Sequence, residues 1–178
     1  MNANTRTTLV EMLTDRGHSI IEDVDESVII ASNPTSNKKI IVYRVQDPKV
    51  SVKNIKQLKN IIDEYDHSFS CLIVIYKTSI STFAKQFIST EVEDMLVQLY
   101  SEKELRFNIT KHELVPTHRL LKANEKENLL SRYKLKHLPV ILTSDPVCRY
   151  YGCLSGDILE ITRQSETCDL YTLFRLVV

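Results

Sequence analysis

The chain has 178 residues, 43% of them hydrophobic and 26% charged, enough to build a sizeable core in one or two compact domains. Lysine plus arginine and aspartate plus glutamate number 23 each, so no global field holds nucleic acid, and an autonomous DNA binder is disfavoured. Apolar runs such as Cys71–Tyr76 fall far short of the roughly 20 residues that cross a bilayer, and Met1–Arg6 has no leader-like apolar core, so a reducing compartment and cysteine thiols are expected.

Thr5–Arg16 carries Leu9, Val10, Met12 and Leu13 at helical spacing, with Gly17 where a C-terminal cap belongs. Ser19–Asp23, Ser27–Ala31 and Lys38–Val45 are rich in Ile and Val and read as strands, the last two a hairpin across the turn-forming stretch 32–37. Ser51–Tyr65 returns to helical spacing through Ile55, Leu58, Ile61 and Ile62, and Cys71–Tyr76 is a strand buried on both faces. The order strand, helix, strand points to an α/β layer. Two short helices, Ser81–Ile88 and Thr90–Tyr100, and a strand over Glu104–Ile109 complete residues 1–108.

A second, α+β organisation of about 70 residues is expected over 109–178. It has a break at Leu114-Val115-Pro116, a helix over Asn124–Tyr133, and the short stretch Val140–Leu142 after Pro139. A turn at Ser144-Asp145-Pro146 follows, with a helical stretch through Tyr151, a turn over Gly152–Gly156, and apolar segments at Ile158–Thr162 and Tyr171–Val178.

Residues that carry chemistry elsewhere have structural readings here. The three glycines, Gly17, Gly152 and Gly156, are too scattered for a phosphate cradle, and Ser155 stands one place late for a nucleophile elbow. Cys148, Cys153 and Cys168, with His112, His118 or His137, lack the close cysteine pair of a zinc site. The carboxylates Asp23, Asp25 and Glu26, and Glu91, Glu93 and Asp94, suit a solvated turn and a helix start as well as an acid/base pair. Lys49, Lys53, Lys56 and Lys59 form either a solvated face or a phosphate-contacting one.

Asn108–His118 resembles the segment that opens the C-terminal domain of the fifth subunit shared by eukaryotic nuclear RNA polymerases, a domain also found in its short archaeal counterpart. Four further blocks follow in the family's order: Leu129–Leu135, Leu138-Pro139, Ser144–Gly152, and Ile161–Thr167 continuing through Tyr171 to Arg175. The N-terminal half is similar through Asp15-Arg16-Gly17, Asn33-Pro34-Thr35 and Asp47-Pro48. The stretch between Gly17 and Asn33 is shorter than in a cellular subunit, which makes a large DNA virus a plausible source.

The resemblance implies a jaw domain at 1–108 and an assembly domain at 109–178, without catalytic residues, metal, cofactor, small-molecule ligand or membrane. The assembly domain would dock on the largest polymerase subunit, beside other subunits, through His112, Glu113, Leu114, Val115, Pro116, Asp145, Pro146, Arg149, Tyr150, Ser165, Glu166 and Thr167. The jaw would approach downstream duplex DNA through Ser79, Ser81, Thr82 and Lys85, although the family often has proline where Thr82 stands. Val140 replaces an expected arginine and Leu154-Ser155 a basic pair, so basic surface at those turns is reduced. A cellular subunit would work in the nucleus, a viral one in cytoplasmic factories or the virion. The alternatives are a free adaptor binding polymerase or a general transcription factor, and a small nuclease, for which the clustered acidic and lysine residues are missing.

Overall fold

The computed structural model describes residues 3–24, 27–65, 69–91, 95–164 and 169–178. Asp25, Glu26, Glu93, Asp94, Ser165, Glu166, Thr167 and Cys168, singled out above, lie outside them. The chain divides into two compact units, Met1–Phe107 and Asn108–Val178.

The first unit begins with α1 (Ala3–Asp15), which buries Leu9, Met12 and Leu13 completely. It stops because Gly17 takes φ +76°, which lets the His18 N–H reach the Leu13 carbonyl at 2.8 Å. A side chain there would be strained, and its Cβ would come within 3.3 Å of Asn33 Nδ2. Strands β1 (Ser19–Val24), β2 (Val28–Ser32) and β3 (Lys39–Arg44) run antiparallel in succession. The β2–β3 turn is closed by Asn33, whose Oδ1 accepts from the Thr35 and Ser36 N–H groups.

From β3 the chain runs through β4 (Lys49–Val50) and α2 (Val52–Glu64) to β5 (Phe69–Tyr76), parallel to β3. It then passes β6 (Ser79–Ile80) and α3 (Thr82–Glu91) to β7 (Leu96–Ser101), parallel to β5. The sheet order is β1-β2-β3-β5-β7, and β4 pairs with β6 separately. Crossover helices follow from parallel pairing, because a tight turn cannot return a strand to the same direction. One face packs Ile30, Ile41, Leu72 and Val74 against Ile55, Leu58 and Ile62 of α2 and Ala84 and Ile88 of α3. By strand alternation the other face presents Ile29, Ile40, Val42, Ile73 and Ile75, all buried, and α1 is tied to it by Arg16, which donates to Gln98 Oε1 and Tyr100 Oη. The first unit is therefore α/β, its sheet carrying helices on both faces.

Two sequence expectations fail here. Thr90–Tyr100 is not a helix: α3 ends at Glu91, and Leu96–Ser101 pairs along β5. Nor is Glu104–Ile109 a strand. After β7 the Glu102 N–H bonds the Tyr76 carbonyl and Glu102 takes Arg44, while Ser101 and Glu104 exchange side-chain and backbone hydrogen bonds. The chain turns back instead of extending.

The second unit opens on Asn108, whose Nδ2 donates to Tyr150 Oη and whose Oδ1 accepts from the Thr110 N–H, starting a 3-10 turn at Ile109–Lys111. Then come β8 (Thr117–Leu120), absent from the sequence expectations, and α4 (Ala123–Arg132), which starts one residue before Asn124. Glu125 closes that start by accepting from the Lys122 N–H and pairing with Arg119. A 3-10 turn (Leu135–His137), β9 (Val140–Ile141), α5 (Pro146–Tyr151), β10 (Ile158–Arg163) and β11 (Tyr171–Val177) follow. The sheet order is β8-β10-β11-β9, antiparallel except for β11 with β9, so this unit is α+β. On one face Ile141, Leu159 and Val177 pack with Cys148 of α5 and Cys153.

Candidate functional site

The docking residues expected from the sequence fall on two neighbouring pieces of the second unit. The first is the loop between the Ile109–Lys111 turn and β8. Its bend is held by His112, whose carbonyl accepts from the Val115 N–H and whose Nδ1 accepts from the Leu114 N–H at 3.2 Å. His112, Glu113 and Leu114 are exposed, Leu114 by 82%, and Val115 and Pro116 half-buried. A leucine so exposed removes little apolar area from water within its own unit.

The second piece is the start of α5. Asp145 caps it by accepting from the Val147 N–H at 2.8 Å, Pro146 fixes the first helical φ, and Gly152 ends it at φ +67°. Arg149 is half-buried on this helix. Tyr150 is buried, stacked edge-on against Tyr151 at 5.3 Å and bonded to Asn108, so its side chain serves the fold of this unit.

Between the two pieces runs an open groove of about 240 Å³. Leu114, Val115 and Pro116 form one wall, Asp145 and Val147 the other, and the floor is sheet: half-buried His118, Leu173 and Arg175 around the buried Ile161, with exposed Arg163 beside them. A second depression shares Leu114, Val115, Pro116 and Arg163 with it and adds Glu113, Thr117, Thr162 and Leu170. The sequence expectations did not include His118, Ile161, Arg163, Leu173 or Arg175 as site residues. These residues come from three strands, and only the β8–β10 and β10–β11 register sets them side by side.

The groove is electrically mixed. Burial lowers the His118 pKa from its ordinary value. A bond from its Nδ1 to the Pro116 carbonyl and the Asp145 charge oppose this, and Arg175 and Arg163 reinforce it. A carbonyl can only accept, so Nδ1 carries the proton and a neutral ring has Nε2 as acceptor. On the buried face of α5, burial and the Asp145 charge push the Cys148 thiol up to about 11, which leaves little thiolate at neutral pH. Among the described residues, no three His, Cys, Asp or Glu side chains gather as a metal site requires.

In the first unit the expected DNA-proximal residues lie at the start of α3. Ser79 is in β6, and Ser81 caps the helix, its Oγ accepting from the Ala84 N–H. Thr82 and Lys85 are exposed, as is Phe83, by 76%. Of the four lysines read as one face, Lys53, Lys56 and Lys59 are on α2, while Lys49 is in β4.

The family model described as RNA polymerase Rpb5, C-terminal domain, matches residues 107–177. Over 97% of its length the chain is 33% identical to a Caenorhabditis elegans protein named DNA-directed RNA polymerases I, II, and III subunit RPABC1, of which it covers 93%. It is 37% identical to the Dictyostelium discoideum protein of the same name, over 97% of this chain and 95% of that one. Because the likeness runs through both units and not the second alone, the chain belongs to the Rpb5 family of RNA polymerase subunits.

Proposed function

We propose that this chain is a non-catalytic, structural subunit of a multisubunit DNA-directed RNA polymerase, with a nuclear place of work. The second unit docks on the largest subunit and the first stands beside downstream duplex DNA. The observation that carries the reading is the end-to-end similarity to shared polymerase subunits, 93% and 95% of whose lengths are covered. The exposed 112–116 loop beside α5 supports docking, since contiguous apolar exposure next to ordered polar groups is what a protein interface uses. The exposed hydroxyl and lysine at the start of α3 suit a weak contact to phosphate that reads no base.

The test is recovery of the tagged chain from its native source, followed by a salt wash and promoter-independent transcription on the eluate. Expected are the two large catalytic subunits in equal amount to the chain, with RNA synthesis. Recovery without them would sink the reading and bring forward a free adaptor.

A further inference from the structure

We propose that the groove between the 114–116 loop and α5 receives an acidic segment of a partner polypeptide, a carboxylate meeting Arg175 and Arg163 and an adjacent apolar side chain resting on Leu114 and Leu173. The inference rests on the reading of the chain as a polymerase subunit only for where that polypeptide is sought.

The leading observation is Arg175. Its Nε is buried yet has no hydrogen-bond partner among the described residues, although Arg175 lines an open groove. A buried guanidinium N–H without an acceptor is costly, and a carboxylate is the acceptor that matches its planar fork. A protein could have placed an aliphatic residue there, since Arg175 sits opposite Leu159 in the β10–β11 register and beside Leu173 and Val177 on the same face. The second observation is charge. Among the described residues, two guanidinium groups, Arg175 and Arg163, line the groove against one carboxylate, Asp145, whose side chain is already engaged as the cap of α5.

The third is the mixture of surfaces. Leu114, Val115, Ile161 and Leu173 make the walls and floor largely apolar, which suits an amino-acid side chain. Nucleic acid fits less well: a polyanion would meet Asp145 on one wall and find two arginines among leucines, not the run of basic groups that counterion release needs.

The test uses the full chain in the polymerase. Leu114→Asp, Arg163→Glu and Arg175→Gln are compared with wild type for retention through a salt series. In parallel, the photocrosslinking residue p-benzoylphenylalanine replaces Leu114. Leu114 and Arg163 are exposed, so those two variants are expected to melt as wild type does, even if Arg175→Gln is less stable. The proposal expects dissociation at least about tenfold faster for each, as for truncating one side of a desolvated charge contact, and a crosslink from position 114 to a polymerase polypeptide segment that carries Asp or Glu. Wild-type retention of both exposed variants, a crosslink to DNA, or a crosslink to a segment without carboxylates would overturn it. If the wild-type chain does not travel with polymerase, the subunit reading fails. The crosslink then decides the groove separately: an acidic segment of another protein sustains it, and no protein crosslink overturns it.

Discussion

In the first unit the strand β5, flanked by β3 and β7, is covered from both sides, by α2 and α3 on one face and α1 on the other, and its residues from Cys71 to Ile75 are all buried. The second unit covers one end of a sheet face with α5 and leaves the other end as the floor of an open groove. It also carries most of the exposed large apolar side chains among the described residues, including Leu114, Val140, Leu142, Leu154 and Leu170. A sheet closed by helices satisfies its apolar surface internally, so whatever it presents to a partner lies at element ends and loops. A half-closed sheet retains surface that only a partner can complete.

Equal truncations should break this symmetry most strongly. Leu72 in the first unit is fully buried in β5, and replacing it by alanine removes apolar area and opens a cavity, at a cost of about 2–5 kcal/mol. Leu173 in the second is half-buried on the groove floor, where the same change costs about 1 kcal/mol because solvent already reaches one side. Urea unfolding of the two variants measures the difference. A Leu173→Ala loss as large as that of Leu72→Ala would mean that the groove is core and not surface.

A smaller effect separates fold from interface within the second unit. Tyr150 is one of the residues that the resemblance places at the docking surface, yet its hydroxyl accepts a buried hydrogen bond from Asn108 Nδ2 at 2.9 Å. Tyr150→Phe should therefore lower the stability of the isolated chain by about 1 kcal/mol. Leu114→Asp, at an 82% exposed position, should leave that stability unchanged. Matched urea curves for the two variants check this, and a stable Tyr150→Phe chain would return Tyr150 to the interface.

Much of each unit could be read locally. Gly17 and Gly152 mark helix ends because a left-handed residue is needed there, and Asp145-Pro146 marks a helix start through a side-chain acceptor and a preset φ. The continuous apolar run of β5 announces burial on both faces. Elements set by distant partners were harder to read. Leu96, Val97, Leu99 and Tyr100 satisfy helical spacing as well as a strand, and only pairing with β5 decides for β7. Thr117-His118-Arg119-Leu120 has too little apolar content to announce β8, which exists because β10 offers it a ladder. The turn after β7 does carry a signal, Ser101 followed three residues later by Glu104, a reciprocal bonding pattern that competes with the strand reading and wins. The groove was the least legible part: His118, Arg163 and Arg175 are far apart in sequence and meet only through register.

Among the described residues, each unit holds one histidine with a depressed pKa, and these give the smallest and most specific test of the comparison. In the first, His18 is lowered mainly by burial, with Arg16 and Lys38 adding repulsion and a bond to the Arg16 carbonyl opposing. In the second, His118 is also lowered mainly by burial, but the bond to the Pro116 carbonyl and the charge of Asp145 oppose, while Arg175 and Arg163 add repulsion. A folded-state value below the unfolded one, near 6.5, means that the unfolded chain binds more protons in between. Stability is thus fully present above about pH 6.5 and is lost as pH falls through the folded value. Histidine ring resonances of the isolated chain should titrate below the ordinary midpoint at both positions, and His118→Asn should flatten the acid-side loss of stability. The two should diverge once the chain is assembled with its partner. An acidic segment in the groove adds negative charge beside His118 and raises its midpoint, whereas His18, facing Arg16 and Lys38 in the other unit, has no such reason to move. A His118 midpoint that stays put on assembly would count against a carboxylate near that ring.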